Sequence, residues 1–92
     1  MNNETRFAIH LSRSARRDRR QVGDAVRLGL IDAKLFDIAA DPSGAHANVT
    51  ALKGVEDGYR LRVGNWRISY AVDDAARVLT VIEIKPRGSA YR

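Results

Sequence analysis

Tyr59-Arg60-Leu61-Arg62-Val63-Gly64-Asn65-Trp66-Arg67-Ile68-Ser69-Tyr70 is the stretch whose reading decides the fold. Residues 59–63 alternate apolar and basic side chains, and residues 66–72 alternate apolar side chains with Arg67, Ser69 and Ala71. A period of two marks a strand with one buried face. Between the halves, Gly64-Asn65 is a pair that accepts positive φ and closes a tight hairpin. A two-residue loop sets Val63 opposite Trp66, Arg62 opposite Arg67 and Leu61 opposite Ile68. Tyr59, Leu61, Val63, Trp66, Ile68 and Tyr70 then share one face, and Arg60, Arg62 and Arg67 share the other. Like charges directly opposite one another are destabilising. At roughly 5 Å, two unit charges repel by about 0.8 kcal/mol in water. Such a face is either solvated surface, with arginine stems covering apolar atoms and their heads diverging into water, or a surface built to bind anions.

Downstream of the hairpin, Asp73-Asp74-Ala75-Ala76 reads as a turn and residues 77–85 as a third strand. Val78, Leu79, Val81, Ile82 and Ile84 make that strand apolar on both faces, which places it inside the sheet. Pro86 is expected to stop it. Upstream, residues 49–53 form a short extended piece, and residues 41–48 a loop containing Pro42, Ser43, Gly44 and His46.

Residues 24–40 give the clearest helix. Leu28, Ile31, Leu35 and Ile38 recur at three- and four-residue spacing as one apolar stripe, which Phe36 and Ala39 are expected to widen. Asp24 suits the N-cap, and Asp41-Pro42 ends the helix because the residue before proline is driven from helical geometry. Residues 6–11 read as a first strand, with Ser12 or Ser14 as N-cap of a basic helix. Residues 13–20 hold five arginines and one aspartate, a local charge of +4, with Ala15 the only apolar side chain. This run is either a solubilising surface or a polyanion contact. Gly23 breaks the chain between two helices.

The order is first strand, two helices, then three strands. The expected fold class is therefore α+β: a small antiparallel sheet with both helices packed on one face, because the long helix and the hairpin each need an apolar partner. The basic hairpin face is then the open one.

Composition narrows the function classes. Residues 1–92 are expected to form one domain, large enough for its own core. The absence of cysteine excludes a disulfide framework and thiolate metal sites, and suits a reducing compartment. The first residues lack the apolar run of a signal peptide and no segment approaches spanning length, so a cytoplasmic protein with no membrane contact is expected. The net charge is +5, and all but three of the 16 basic residues are arginine (Lys34, Lys53 and Lys85 are the exceptions). A basic balance favours polyanions, and an arginine bias favours planar, bidentate recognition of phosphate.

His10 lies in the first apolar strand, where a structural role is expected. His46 sits in the loop. Two histidines without a carboxylate at ligand spacing do not make a metal site. Trp66 is read as core.

Leu52-Lys53-Gly54, the hairpin itself, and the ending Ile84-Lys85-Pro86-Arg87-Gly88-Ser89-Ala90-Tyr91-Arg92 resemble the RelE/ParE superfamily of bacterial type II toxins, over essentially the whole chain. The resemblance implies a small antiparallel sheet backed by two helices, and ribosome-dependent cleavage of mRNA. It carries the family's two basic first-strand positions onto Arg60 and Arg62. Its second-strand arginine falls on Arg67, its late arginine on Arg87 and its C-terminal tyrosine on Tyr91. It further implies that the substrate's 2′-hydroxyl attacks the adjacent phosphate with no metal or cofactor. The implied partners are mRNA on the ribosome, a RelB-like antitoxin with an acidic segment, and operator DNA only through the antitoxin complex. Two alternatives stay open: a non-enzymatic ParE-like toxin acting on DNA gyrase, and a nucleic-acid-binding module without catalysis.

The chain departs from the family pattern in two places. Arginines stand where the best-known member has lysines on the first hairpin strand, and Pro86 stands where several members carry histidine or another basic residue. Arginine is effectively always protonated and a poor general base, so either an arginine serves as proton acceptor all the same, or Lys85 or Tyr91 does, or the ribosome contributes a group. Otherwise catalysis rests on charge and position.

Overall fold

The computed structural model describes residues 6–87. Its elements follow the order β1 (Ala8–Leu11), α1 (Arg13–Gln21), α2 (Ala25–Ala40), β2 (Val49–Ala51), β3 (Gly58–Val63), β4 (Trp66–Asp73) and β5 (Val78–Pro86). The five strands form one sheet in the order β1-β5-β4-β3-β2. The hairpin register is the expected one, with Val63 opposite Trp66, Arg62 opposite Arg67 and Leu61 opposite Ile68. Gly64 turns the hairpin at φ +60, in the left-handed region that favours glycine, with the end of the Arg27 side chain beside it.

Two features depart from the simple antiparallel expectation. β1 pairs with β5 in parallel, Ala8 opposite Val78 through Leu11 opposite Val81, so one pairing of the otherwise antiparallel sheet runs the other way. β5 also carries a bulge. Tyr70 faces Val81 but Ser69 faces Glu83, which leaves Ile82 as the extra residue. The bulge shifts the alternation by one, so Leu79, Val81 and Ile84 all enter the core despite their uneven spacing. β5 is the inner strand that its composition demanded, lying between β1 and β4.

Both helices start as their caps dictate. The Ser12 side chain accepts from the Ala15 N–H, making Ser12 rather than Ser14 the N-cap of α1. Asp24 accepts from the Arg27 N–H at 3.1 Å and caps α2. Gly23, at φ +70, makes the left-handed turn between them. From α2, Ile31, Leu35, Ile38 and Ala39 are buried against the sheet, together with Leu61, Val63, Ile68, Tyr70, Leu79, Val81 and Ile84. Phe36 does not widen the stripe, being half exposed. It follows Leu35 by about 100° around the helix, past the buried arc, and the Arg6 guanidinium lies 3.7 Å over its ring instead.

α1 buries only Ala15 and Asp18. Its remaining arginines cost stability. Arg13 repels Arg16 and Arg17, and Arg20 repels the same two, each pair at three- or four-residue spacing and worth about 0.2–0.5 kcal/mol. Among the described residues only Arg19 of this helix has an acidic partner, reaching Asp32 of α2 at 2.5 Å.

Tyr70 is fully buried and stacks on Tyr59 with ring centroids 5.5 Å apart. Its hydroxyl has no hydrogen-bond partner among the described residues. Burial first, and then the neighbouring Tyr59, push its pKa from 10.0 up to about 12. The unfolded chain therefore releases this proton before the folded chain does. The contribution is fully present below pH 10, and stability falls as pH rises from about 10 towards 12. Tyr70→Phe is expected to be as stable as the wild type or up to about 1–2 kcal/mol more stable, since an unsatisfied buried hydroxyl is removed. It should also lose this part of the alkaline decline. Urea melts of both proteins at pH 8, 10 and 11 measure it, and a Phe variant destabilised at pH 8 would mean that the hydroxyl has a partner.

Candidate functional site

The helices leave the opposite face of the sheet open, and there the arginines converge. Arg60 and Arg62 rise from β3 and Arg67 from β4. Arg87 follows β5, its N–H donating to the Asn65 carbonyl of the hairpin turn at 2.5 Å. That bond ties the chain just after β5 to the loop of the hairpin. The four side chains and Thr50 of β2 line one open depression of about 260 Å³.

No acidic side chain lines it, and none of the four arginines takes part in an ion pair among the described residues. Arg60 and Arg67 are half-buried, and the Nε of Arg60 is buried with no hydrogen-bond partner among the described residues. A cluster of guanidiniums with no counter-charge among the described residues has the planar donors and the positive charge to receive an anion. The like-charge contact between Arg62 and Arg67 is built into the hairpin register. An anion between them turns that repulsion into attraction.

Sequence reading missed two residues. Thr50 belongs to a strand too short to read beyond "extended". The other is Asp18, the lone acid of the basic run, which is buried under α1. Its Oδ2 accepts from the Ile84 N–H at 3.0 Å and its Oδ1 from Lys85 Nζ at 3.1 Å. Ser12 Oγ donates to the Ile82 carbonyl at 2.6 Å. Together they fix α1 along β5, on the segment that leads to Arg87. Lys85, which stands opposite Arg67 in the β4–β5 register, is held by Asp18 and lines a separate hollow with Gln21, Trp66 and Pro86.

His10 is exposed on edge strand β1. His46 donates from Nε2 to the Asp41 carbonyl at 2.7 Å and lies among Lys34, Asp37 and Leu61. Neither reaches the arginines. Trp66 is partly buried and packs against the core. Tyr91 lies outside the described residues. Among those described, no group of three His, Asp or Glu side chains is arranged to hold a metal, and no helix is long and apolar enough to cross a membrane.

A family model described as the ParE toxin of the type II toxin-antitoxin system, parDE, matches residues 9–91. The chain belongs to this family. It is a type II toxin of the RelE/ParE superfamily, and the solved structures that resemble it agree. The isolated E. coli RelE toxin is 26% identical with a TM-score of 0.73, covering 87% of this chain and 83% of RelE. The toxin of the intact E. coli RelBE toxin-antitoxin complex is 28% identical with a TM-score of 0.71, covering 87% of this toxin and 95% of that chain. The archaeal RelE–RelB complex from Pyrococcus horikoshii, at 21% identity, TM-score 0.74 and coverage of 89% and 96%, shares the fold. No curated protein sequence matches the toxin.

Proposed function

We propose that this toxin is a ribosome-dependent mRNA endonuclease whose site comprises Arg60, Arg62, Arg67, Arg87 and Tyr91. The observation that carries the reading is the convergence of four unpaired arginines in one depression on the open sheet face. In the proposed reaction the 2′-hydroxyl loses its proton as its oxygen bonds to phosphorus. The bond from phosphorus to the 5′-oxygen breaks, and that oxygen gains a proton. The products are a 2′,3′-cyclic phosphate and a 5′-hydroxyl. Negative charge grows on the non-bridging oxygens, where fixed guanidiniums stabilise it. Tyr91 stacks on a base and keeps attacking and leaving oxygens in line. Arginine does not accept the proton, Lys85 is occupied by Asp18 and Tyr91 serves for stacking, so the 2′-hydroxyl proton passes to a ribosomal group or water, the 5′-oxygen takes its proton from the same source, and the protein's contribution is electrostatic and positional.

A second reading, inhibition of DNA gyrase without catalysis, is favoured by the family model, which is that of ParE. Induced expression separates the two. New RNA ends inside translated reading frames support the endonuclease, whereas intact mRNA with arrested supercoiling supports the gyrase reading.

The partner that silences the toxin is, in this reading, an antitoxin with an acidic, partly disordered segment that folds onto the arginine face. Similar toxins are bound to RelB in the E. coli and Pyrococcus horikoshii complexes. Its affinity is expected to fall at least tenfold between about 50 and 500 mM salt, as exposed charge pairs are screened. Titration calorimetry at the two salts measures this, and an unchanged affinity would place the main contact on apolar surface.

A further inference from the structure

A second hollow, of about 290 Å³, is lined by Asp18, Gln21, Trp66, Ile84, Lys85 and Pro86. It shares no residue with the arginine depression, yet the two are joined through the strands. Trp66 precedes Arg67 on β4, and successive side chains of a strand leave opposite faces. Trp66 stands opposite Pro86, and Arg67 opposite Lys85. β1 pairs with β5 only as far as Val81, so the end of β5 is an edge of the sheet. Lys85 bends round that edge, from the arginine side, to reach Asp18 of α1. The hollow and the depression therefore lie on opposite sides of one short edge.

Charge separates what the two can hold. Four guanidiniums without an acid suit phosphate. In the hollow the buried Asp18 carboxylate accepts from Lys85 Nζ at 3.1 Å and balances the one cation there. An ammonium has three N–H donors, so two remain on Lys85 after Asp18 has fixed its position. The Gln21 amide, exposed at the last residue of α1, offers a donor and an acceptor side by side. Trp66 is partly buried and adds an aromatic ring, and the buried Ile84 adds apolar surface. Lysine reads guanine at O6 and N7, glutamine reads adenine at N6 and N7, and an aromatic ring stacks on either base. We infer that this hollow is a purine subsite. It takes the base of a nucleotide next to the phosphates that the arginines hold, on one RNA strand that crosses the edge at Lys85. The RNA strand rests on the endonuclease reading above, whereas the purine site rests on the hollow alone.

Trp66 is the only tryptophan of the chain, so its indole N–H gives a single resonance in isotope-labelled protein that reports on the hollow. Titration with guanosine and with adenosine is expected to move this resonance saturably. Cytidine and uridine should need about tenfold higher concentration or more, and inorganic phosphate should not move it. Gln21→Ala should weaken adenosine binding about fivefold or more, the lower end for a lost bidentate base contact, with guanosine changed less than about twofold. Lys85→Gln should do the reverse. Gln21 is exposed, so its truncation is expected to leave the fold intact, and it carries the test alone if Lys85→Gln does not fold. Three results overturn the inference: no saturable shift with either purine, an equal response to pyrimidines or phosphate, or equal losses of adenosine and guanosine binding in Gln21→Ala. The strand is tested with a short oligouridine carrying a single guanine. It should bind about tenfold or more tighter than guanosine monophosphate and lose that advantage in Arg67→Ala. Equal affinities would make a free nucleotide the occupant and overturn the shared strand. Purine binding by a toxin that cuts no mRNA on programmed ribosomes overturns the endonuclease reading alone.

Discussion

Arg67→Ala is expected to slow the chemical step of mRNA cleavage by about 10²–10³, the loss for one preorganised donor at a developing oxyanion, or roughly 2.7–4 kcal/mol of transition-state stabilisation. Arg67 is the position where that effect should be largest on the hairpin. It is half-buried, stands directly opposite Arg62, and shares the depression with Arg60 and Arg87. Partial burial lowers the local dielectric, so a fixed charge there acts more strongly than one in water. Arg67→Lys should recover less than a tenth of the loss, because the charge stays but the planar fork is gone. Arg87→Ala should fall in the same range, with its backbone bond to Asn65 intact. Tyr91→Phe should be mild if the ring stacks. A fall of about 10²–10⁴ would instead assign its hydroxyl to proton transfer. The measurement is the single-turnover rate on programmed ribosomes at saturating toxin. Equal rates for Arg67→Ala and wild type would remove Arg67 from the site.

Ile68→Ala is expected to destabilise the fold by about 3–4 kcal/mol, within the range for a fully buried isoleucine. Ile68 is completely buried at the centre of β4, between Leu61 on β3 and Ile84 on β5, on the sheet face that the helices cover. Three strands and the helix layer meet there, and a void at such a place cannot collapse without moving all of them. Native domains are stable by only about 5–15 kcal/mol, so the change would remove roughly a fifth or more of the total. It should lower the melting temperature by roughly 12–30 °C for a chain of this size. Val26→Ala is the control. Val26 is an apolar residue of α2 that is 78% exposed, and its truncation should stay within about 0.5 kcal/mol. Urea denaturation of the three proteins decides it, and a cost below about 1 kcal/mol at Ile68, short of the buried-isoleucine range, would move the core elsewhere.

The hairpin is legible in sequence because its two signals are local. Alternation defines the faces and Gly64-Asn65 the register, and no distant contact is needed to place Arg60, Arg62 and Arg67 together. The long helix is legible for the same reason, except at Phe36, where hydrophobicity suggests burial but helical phase and the Arg6 guanidinium decide otherwise. What cannot be read depends on non-local pairing. The parallel partner of β1, the bulge at Ile82 and the inclusion of Thr50 in the site wall all follow from how strands meet, and nothing in residues 8–11 alone specifies β5. Asp18 is the most informative case. In sequence it is one acid among five arginines, easily taken for a solvent-facing counter-charge. In the fold it is buried and joins α1 to β5, which leaves the outer arginines of that helix unopposed.

The most direct measurement is the chemistry of the cut ends after purified toxin acts on mRNA in programmed ribosomes. A 2′,3′-cyclic phosphate on the upstream fragment and a 5′-hydroxyl on the downstream fragment are predicted, lost together in Arg67→Ala. A 3′-hydroxyl end, or uncut mRNA alongside arrested gyrase supercoiling, would contradict it.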